Sequence, residues 1–397
     1  MSQELLVKKL FCARQILFSF CFLAMPLGLL AQVPQSNHVV VVVEENHSYS
    51  SVVGNASMPY LNGLAQKYSL LTQYYANTHP SIGNYFMMTT GQIITNSDGY
   101  TGTVTANNIV RQLLTGGKTW KSYAEGLPSV GYIGGNTGSY VRHHNPFTYF
   151  SDVVNSSVQK LNLVPFTRFA ADLTNNQLPD FSFIVPNLND DAHNGTLAQA
   201  DGWLKTNIDP LLSNPEFQQD GILIIVFDEA ASTDSTLGGG HIAAIVAGPG
   251  VRKGFKSTTV YQHQSLLRTV LDAVGVHSYP GAAATAKPIS EAFTSSAAIP
   301  TPTPSPSDCS ASTIGVTVCS PSSGATLTSP VRFRAAAKST HAITAMRIYV
   351  DNVSKYLINA STLDSSLAIS AGTHSAVVQA WDSSGAVFKT ALTIKVQ

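Results

Sequence analysis

Four clusters of acidic, amide, serine and histidine side chains stand out in this 397-residue chain. In chain order they occupy residues 44–49, 78–85, 187–195 and 228–241. Carboxylate and amide oxygens bind divalent cations, a serine hydroxyl can act as a nucleophile, and a histidine can transfer a proton. Together these residue types indicate a hydrolytic site that uses a metal ion.

Adjacent carboxylates follow two of the apolar runs. Glu44 and Glu45 come directly after one run, and Asp228 and Glu229 come directly after another. Carboxylates this close repel each other, so they persist most readily where a cation lies between them. Both pairs therefore predict ligands of a divalent metal.

Ser81 lies in the string His-Pro-Ser-Ile-Gly-Asn-Tyr of residues 79–85. The proline before it and the glycine after it predict a tight turn into a helix start, where free backbone N–H groups attract an anion. A serine in that place could attack a phosphate group. It could equally be the N-cap of the helix, and the string alone leaves both interpretations open.

Histidines accompany turn residues in three further strings. These are Arg-His-His-Asn-Pro at 142–146, Asp-Asp-Ala-His-Asn-Gly at 190–195, and Gly-Gly-Gly-His at 238–241. Each string by itself could be a solvated turn. Beside the carboxylate pairs, their histidines become candidates for contacts with a substrate.

The elements that would position these clusters alternate between strands and helices. Runs with strand character cover residues 38–45, 181–186, 222–228 and 241–247. Segments with helical character cover residues 58–68, 105–114, 197–212 and 263–274. Continuously apolar strands that alternate with helices predict an α/β fold, with a largely parallel sheet flanked by helices. Ligands bind beyond the carboxyl ends of such strands, so the clusters should meet there.

The composition suits a globular chain without a nucleic-acid partner. Hydrophobic residues make up 44% and charged residues 12%, which is enough for a sizeable core and too little charge for a disordered chain. Lys and Arg number 23, as do Asp and Glu, and no basic run interleaves with aromatic residues. We therefore expect no binding of DNA or RNA. We also expect the protein to be a monomer.

Residues 1–31 have the layout of a secretory signal peptide: basic residues, an apolar run at 16–30, and Ala31 before a polar stretch. We expect a secreted or periplasmic protein from which this segment is removed. Leu29, two residues before Ala31, is not small. An uncleaved membrane anchor is therefore the alternative.

A second unit is expected after the first. Residues 298–308 alternate proline with Ser or Thr over most of their length, which predicts an extended linker between a catalytic domain at 32–297 and a unit at 309–397. The last unit has short runs of period two, which predict an immunoglobulin-like β-sandwich, and it resembles bacterial Ig-like modules. Cys309 and Cys319 should form a disulfide in an exported chain. Such a module could attach the protein to a cell surface or a polymer.

The clusters in their order resemble the motifs of one family. It is the phosphoesterase family that contains bacterial phospholipases C and certain acid phosphatases, within the alkaline-phosphatase-like superfamily. The resemblance covers about residues 37–295 and rests on five motifs, which begin at Glu45, His79, His144, Asp190 and Asp228.

The resemblance implies a role for individual residues. One divalent ion, which could be calcium, magnesium or zinc, would be held by Glu45, Asn46, Ser81, Asp228 and Glu229. The catalytic residues would be Ser81, His193 and His241. The substrate would be bound by His79, Asn84, His144 and Asp191. The pattern of Asp and His ligands for two metals is not evident, so one ion is expected.

The function that the resemblance implies is hydrolysis of a phosphate ester, in the manner of an acid-phosphatase-like phosphomonoesterase that forms a phosphoserine. A phospholipase C type phosphodiesterase is the first alternative, because the sequence does not reveal the pocket for the leaving group. The second alternative is a surface-binding protein with a decayed phosphoesterase domain. The presence of all five motifs favours an enzyme.

Overall fold

The structure is a computed structural model that describes residues 32–294, 309–358, 360–367 and 369–397. The expected signal peptide at 1–31 and linker at 298–308 lie outside the described residues. None of the helices in the described residues combines the length and the hydropathy that crossing a membrane requires.

The N-terminal unit contains eleven strands and ten α-helices. Its strands are β1 (Val39–Glu44), β2 (Ser69–Leu71), β3 (Tyr74–Tyr75), β4 (Trp120–Ala124), β5 (Leu163–Pro165), β6 (Phe181–Val185), β7 (Ile222–Phe227), β8 (His241–Ile242), β9 (Ala244–Ala247), β10 (Phe255–Ser257) and β11 (Tyr261–Gln262). Its α-helices are α1 (Tyr49–Val52), α2 (Pro59–Lys67), α3 (Ser81–Thr90), α4 (Ile109–Thr115), α5 (Ser151–Val154), α6 (Thr167–Thr174), α7 (Leu197–Asn207), α8 (Asp209–Ser213), α9 (Phe217–Asp220) and α10 (His263–Ala273). Short 3₁₀ helices cover Arg142–His144, Pro146–Thr148, Gln159–Asn162, Thr236–Gly238, Gly281–Ala284 and Ser290–Ala292.

Eight of these strands form one sheet in the order β10-β2-β9-β7-β1-β6-β4-β5. Only β9 runs against its neighbours β2 and β7, and the other pairs are parallel. The prediction of a largely parallel α/β sheet is therefore confirmed. A small second sheet has the order β11-β3-β8.

The central strands are rich in Val, Ile and Phe and buried along their whole length. Every residue of β1, β6 and β7 is buried. Such strands place side chains on both faces of the sheet, and both faces must then be covered by other elements. The sequence pattern therefore predicted the position of these strands within the fold as well as their type.

Three predicted elements differ from the structure for local reasons. The helix expected from residue 105 begins at Ile109, because the side chain of Asn108 accepts a hydrogen bond from Arg111 N and caps it there. The helix expected at 197–212 divides into α7 and α8, and Pro210 lies in the first turn of α8. The strand expected at 241–247 divides because β8 pairs with β3, whereas β9 pairs with β7.

The C-terminal unit is an all-β sandwich, as predicted. Its strands are β12 (Gly315–Ser320), β13 (Thr326–Leu327), β14 (Val331–Lys338), β15 (Ile343–Val350), β16 (Val353–Ile358), β17 (Thr362–Leu367), β18 (Gly372–Asp382) and β19 (Val387–Val396). They form a three-stranded sheet, β12-β14-β17, and a five-stranded sheet, β13-β19-β18-β15-β16. Alternate residues of β14, β15 and β18 are buried in a core of this unit's own side chains. Cys309 and Cys319 form the expected disulfide.

Candidate active site

The carboxyl ends of three neighbouring strands bring three of the clusters together. Strand β1 lies between β6 and β7 and is parallel to both. Just beyond the strand ends, Glu45 N donates a hydrogen bond to Asp191 O, and Asp228 N donates one to Glu44 O, each at 2.8 Å. The acidic residues that follow these strands are therefore held side by side by the backbone, at the edge that the sequence predicted.

Glu45 is the centre of the site. Its carboxylate is fully buried and accepts hydrogen bonds from Ser81 Oγ at 3.2 Å and from the Tyr85 hydroxyl at 2.5 Å. His144 Nε2 lies 3.3 Å from Glu45 Oε1. One carboxylate thus connects the first strand, the helix that follows the His-Pro-Ser string, and the 142–146 string.

Ser81 is the first residue of α3, and its hydroxyl does not cap that helix. The N-cap position is Pro80, and α3 has no side-chain cap hydrogen bond. The Ser81 hydroxyl donates instead to Glu45, and the backbone N–H of Ile82 donates to Asp98 Oδ1 at 3.2 Å. A hydroxyl at the start of a ten-residue, fully buried helix lies in the positive field of the helix terminus, which attracts an anionic group.

Asp228 is held in place by backbone groups. Its Oδ1 accepts hydrogen bonds from Asn46 N at 3.1 Å and from Glu229 N at 2.6 Å. Asn46 has a φ of 58°, a left-handed conformation that asparagine tolerates better than most residues. Its side-chain amide donates to Glu45 Oε2 at 3.3 Å. The other oxygen of Asp228, Oδ2, is buried without a hydrogen-bond partner among the described residues.

Glu229 connects the site to two predicted substrate-binding residues. Its Oε2 lies 3.2 Å from His79 Nδ1 and accepts a hydrogen bond from Asn84 Nδ2 at 3.3 Å. The amide oxygen of Asn84 accepts hydrogen bonds from the backbone N–H groups of Asn77 and Thr78. Asn84 was expected to contact substrate, but in the structure its side chain forms hydrogen bonds with the backbone of the turn that precedes Ser81.

His144 and Asp191, which were predicted to bind substrate, both lie next to Glu45. Both are buried, and Glu45, His144 and Asp191 offer ligand atoms that all lie within 4.8 Å of one another. His144 Nδ1 is 3.7 Å from Asp191 Oδ2. The sequence placed these two residues among the substrate contacts, whereas their geometry suits ligands of a metal ion. The order β7-β1-β6, which the sequence does not reveal, brings Asp191 beside Glu45.

Burial disfavours the charged forms of the carboxylates in the cluster. It raises the pKa of Asp191 to about 7, that of Asp228 to about 6 and that of Glu229 to about 9. Burial, followed by the charges of Asp228 and Asp191, raises the pKa of Glu45 well above its usual value. Burial also lowers the pKa of His144 to about 3, so its ring is neutral at physiological pH.

These groups fit a divalent cation. In residues 32–294 the only basic side chains within ion-pair distance of Glu45, Asp191 and Glu229 are histidines. Both ring nitrogens of His144 and Asp191 Oδ2 are buried without hydrogen-bond partners among the described residues. Buried polar atoms normally have partners, and carboxylates with one neutral imidazole are suitable ligands for a hard or borderline divalent ion.

His193 lies at the rim of the site. Its backbone N–H donates to Asp191 Oδ1 at 2.8 Å, and its exposed ring lies 6.1 Å from the ring of His144. The Nδ1 atom is 2.8 Å from Asn194 Oδ1. This predicted catalytic residue therefore lies where it could reach a bound substrate from the solvent side.

The ring of His241 packs between other side chains. Its ring is stacked on Tyr49 at 4.3 Å and on Tyr75 at 4.8 Å, and its Nε2 lies 2.9 Å from Thr72 O. Within residues 32–294, none of the site carboxylates is a partner of its imidazole. The sequence predicted a catalytic role for His241, but β8 pairs with β3 in the small sheet and carries the ring into this stack.

The glycine run before His241 serves the same packing. A Cβ atom on Gly238 would lie 2.0 Å from Asn77 O, and Gly239 N donates to Ala76 O at 3.1 Å. Only glycine lets the 238–240 segment approach the backbone that leads to Ser81. The glycine run therefore packs against the segment that leads to Ser81 and helps to position it.

Sequence reasoning did not assign a role to Tyr85. Its ring is stacked on His144, with centroids 5.0 Å apart and planes inclined by 10°. Its hydroxyl donates to Glu45, so one side chain contacts two of the three grouped residues. A signal was present: Tyr85 is four residues after Ser81, and residues four apart lie on the same face of a helix.

Comparisons with known proteins found relatives of this chain by structure and by sequence. A solved protein of the alkaline phosphatase superfamily from Vibrio parahaemolyticus superposes with a TM-score of 0.44 and 17% identity, and the match covers 62% of this chain and 68% of that one. "Phosphatidylinositol-3-phosphatase" of Mycobacterium tuberculosis is 33% identical over 286 residues, which are 70% of this chain and 90% of the relative. "Probable acid phosphatase" of Kluyveromyces lactis is 35% identical over 243 residues, which are 58% of this chain and 56% of the relative.

Residues 55–277 match the model of a protein family that is described as the Phosphoesterase family. That range contains Ser81, His144, Asp191, Asp228 and Glu229. It is more than half of the chain, and the relative from Mycobacterium tuberculosis is matched over nearly its whole length. The chain belongs to the phosphoesterase family and is a phosphoric ester hydrolase.

Proposed function

We propose that the protein is a metal-dependent phosphomonoesterase of the acid phosphatase type that forms a phosphoserine at Ser81. The observation that carries this proposal is the hydrogen bond from Ser81 Oγ to Glu45, at the start of a buried helix and beside converging carboxylates. A hydroxyl in that position meets both an anion-attracting helix terminus and a set of ligands for a cation.

The residues that would hold the ion surround the Glu45 carboxylate, and three of them have buried atoms without other partners among the described residues. Glu45, His144 and Asp191 satisfy the distances, and Asp228 offers its unpartnered Oδ2. When bound, a divalent ion lowers the pKa of a nearby hydroxyl and offsets negative charge on phosphoryl oxygens. Asn46 and Glu229 complete the proposed ligand set from the sequence, together with Ser81.

The chain's own residues then carry the reaction. Ser81 Oγ forms a bond to phosphorus as the bond from phosphorus to the leaving oxygen breaks, and the Ser81 proton leaves along its hydrogen bond to Glu45 Oε2. His193, whose ring is exposed at the rim, can donate a proton to the departing alkoxide. A water molecule then forms a bond to phosphorus as the bond from phosphorus to Ser81 Oγ breaks, and it gives a proton back to His193. Phosphate leaves, and the proton held on Glu45 returns to Ser81 Oγ.

A monoester is favoured over a diester by the relatives. Those described above carry the names acid phosphatase and phosphatidylinositol-3-phosphatase, and a phosphatase releases phosphate from a monoester. The His-Pro-Ser string and the His-His-Asn-Pro string, both at the site, also look more like the phosphatase branch than the phospholipase branch.

Hydrolysis of two nitrophenyl esters separates the alternatives. With added divalent metal we expect p-nitrophenyl phosphate to be hydrolysed at least about tenfold faster, by kcat/KM, than p-nitrophenyl phosphorylcholine. A chelator should abolish both activities, and metal should restore them. Faster hydrolysis of the choline diester would favour a phospholipase C, and no hydrolysis of either ester in metal-loaded protein would favour a binding protein.

We also propose that residues 1–31 direct export of the chain. The layout of the segment supports this, with basic residues before an apolar run. N-terminal sequencing of protein from the medium or periplasm of an expressing bacterium should give a start near Gln32. Intact protein that stays in the membrane fraction would instead indicate an uncleaved anchor.

Tyr85→Phe should weaken metal binding while leaving the fold intact. The change keeps the ring that stacks on His144 and removes only the hydroxyl that orients Glu45. We expect metal affinity and kcat/KM each to fall by about tenfold to 100-fold, as is typical when a group behind a metal ligand is lost.

Tyr123→Phe is the matched control. Tyr123 is equally buried and donates to a carboxylate oxygen of Asp172, away from the site. Its loss should lower the melting temperature and leave metal affinity unchanged. Equal metal affinity in wild type and Tyr85→Phe, measured by calorimetric titration, would show that the Tyr85 hydroxyl does not orient Glu45.

Ending the chain near Ile299 should give a soluble and active enzyme. All the candidate catalytic and binding residues lie before that point, and each unit has a hydrophobic core of its own residues. The truncated protein should hydrolyse p-nitrophenyl phosphate with the kcat/KM of the full chain and should melt cooperatively. If it folds and binds metal but is inactive on this small ester, the C-terminal unit completes the site.

A further inference from the structure

The outer face of the five-stranded sheet carries the largest aromatic side chain of the C-terminal unit. In β15 the residues Met346, Ile348 and Val350 are buried, so Arg347 and Tyr349 between them point away from the core. Trp381 in β18 pairs with Ala345, which places its ring on the same outward face. Trp381 is half-buried, as are Arg347 and Tyr349, so the three side chains together form part of this outer surface.

An arginine lies between the two aromatic rings. The guanidinium carbon of Arg347 is 5.6 Å from the ring centroid of Trp381 and 5.9 Å from that of Tyr349. These distances are within the range of cation–π attraction, so the side chains order one another into a line across the strands. Arg347 Nε is buried without a hydrogen-bond partner among the described residues, so only the terminal N–H groups of this guanidinium can serve an outside partner.

Exposed apolar residues extend this line to both neighbouring strands. Leu357 of β16 pairs with Arg347 and is 48% exposed, and Val387 of β19 pairs with Trp381 and is also 48% exposed. In the next row across the sheet the buried Gln379 lies between Arg347 and the exposed Lys389, and it pairs with both. The face is therefore partly apolar and basic.

The C-terminal unit has more basic than acidic residues. Residues 309–397 contain seven Lys or Arg and three Asp, a formal charge of +4, although the whole chain has a formal charge of zero. The three carboxylates have other partners: Asp364 pairs with Arg332, Asp351 with His374, and Asp382 accepts from Ser339. Arg347 and Lys389 thus have no carboxylate partner among the described residues of this unit.

We propose that this outer face, defined by Arg347, Tyr349, Trp381 and Lys389, binds an acidic polysaccharide. The rings of Trp381 and Tyr349 offer flat apolar surfaces to the faces of sugar rings, and the cations pair with uronate carboxylates along the polymer. The apolar residues lie on strands rather than on a protruding loop, which disfavours insertion into a membrane. Two cations beside the rings are too few for the phosphate contacts on which nucleic-acid affinity depends.

Binding by the full chain tests the proposal. The probes are alginate, a polymer of uronic acids, and dextran, a neutral polymer, together with phosphatidylglycerol vesicles and a single-stranded DNA oligonucleotide. We expect retardation by alginate in affinity electrophoresis, weakening with added salt, and no retardation by dextran. Binding that is equal for both polymers, or stronger for vesicles or DNA than for alginate, would overturn the proposal.

Variants locate the binding on this face. Arg347→Gln, Lys389→Gln and Trp381→Ala should each weaken alginate binding by about threefold to tenfold. Lys338→Gln removes the same charge from the three-stranded sheet and should change binding by less than about twofold. All four variants should retain the wild-type kcat/KM on p-nitrophenyl phosphate.

The Lys389→Gln variant keeps the test decisive if Trp381→Ala does not fold, because Lys389 is exposed and its replacement should leave the fold intact. A loss of binding in Lys338→Gln equal to that in Lys389→Gln would show that net charge alone attracts the polymer. Unchanged binding in Arg347→Gln and Lys389→Gln would place the site elsewhere.

Discussion

Ser81→Ala should reduce turnover of p-nitrophenyl phosphate by about 10⁴-fold or more, because the substitution removes the atom to which phosphorus is transferred. The substitution removes one hydroxyl and leaves α3, which has no side-chain cap, with its backbone hydrogen bonds. The fold should therefore persist, and metal should still bind through Glu45, His144 and Asp191. Steady-state kinetics, with a thermal melt on the same sample, checks both expectations.

Ser69→Ala is a suitable control for that loss. Ser69 is also buried, and its hydroxyl donates to the backbone oxygens of Arg252 and Ala292, away from the site. The control should lose some stability and keep kcat. If Ser81→Ala retains activity within about tenfold of the wild type and melts cooperatively, Ser81 is not the nucleophile.

Glu45→Gln and Asp228→Asn should lose metal and activity together. Each change keeps the shape of the side chain and removes one negative charge from a cluster in which burial already disfavours charge without a cation. We expect metal affinity to fall by at least about tenfold and kcat/KM by about 100-fold or more. Glu45→Gln should have the larger effect, because Glu45 also accepts the hydrogen bond of Ser81.

Metal analysis of the purified variants decides this second prediction. Asp172→Asn is the control, because Asp172 is equally buried but pairs with Lys121 and accepts from Tyr123. It should lose stability and keep its metal. Full occupancy in both Glu45→Gln and Asp228→Asn would move the metal to other residues of the chain.

The sheet and the edge that carries the site were predictable from local patterns. Continuous runs of Val and Ile specify strands that are buried on both faces, and polar residues directly after them mark the carboxyl ends. Glu45, Asp191 and Asp228 were found in this way. The strand order that makes them neighbours depends on how distant segments pack, and no local pattern contains it.

The finer division of roles was not predictable for the same reason. Whether Asp191 contacts substrate or metal depends on its distance from Glu45, which is set by the position of β6 beside β1. The family resemblance implied a catalytic role for His241, but the pairing of β8 with β3 places its ring against Tyr49 and Tyr75. The sequence assigned no role to Tyr85, and only the structure reveals its hydrogen bond to Glu45.

Detection of phosphate on Ser81 during turnover is the most direct test of the proposed mechanism. Metal-loaded enzyme is mixed with p-nitrophenyl phosphate, quenched in acid and digested, and the peptide that contains Ser81 is examined by mass spectrometry. That peptide should gain the mass of one phosphoryl group, with fragmentation placing the group on Ser81, and the gain should vanish in Ser81→Ala. Active enzyme that shows no phosphorylated peptide at any quench time, or phosphate on another residue, would contradict a phosphoserine at Ser81.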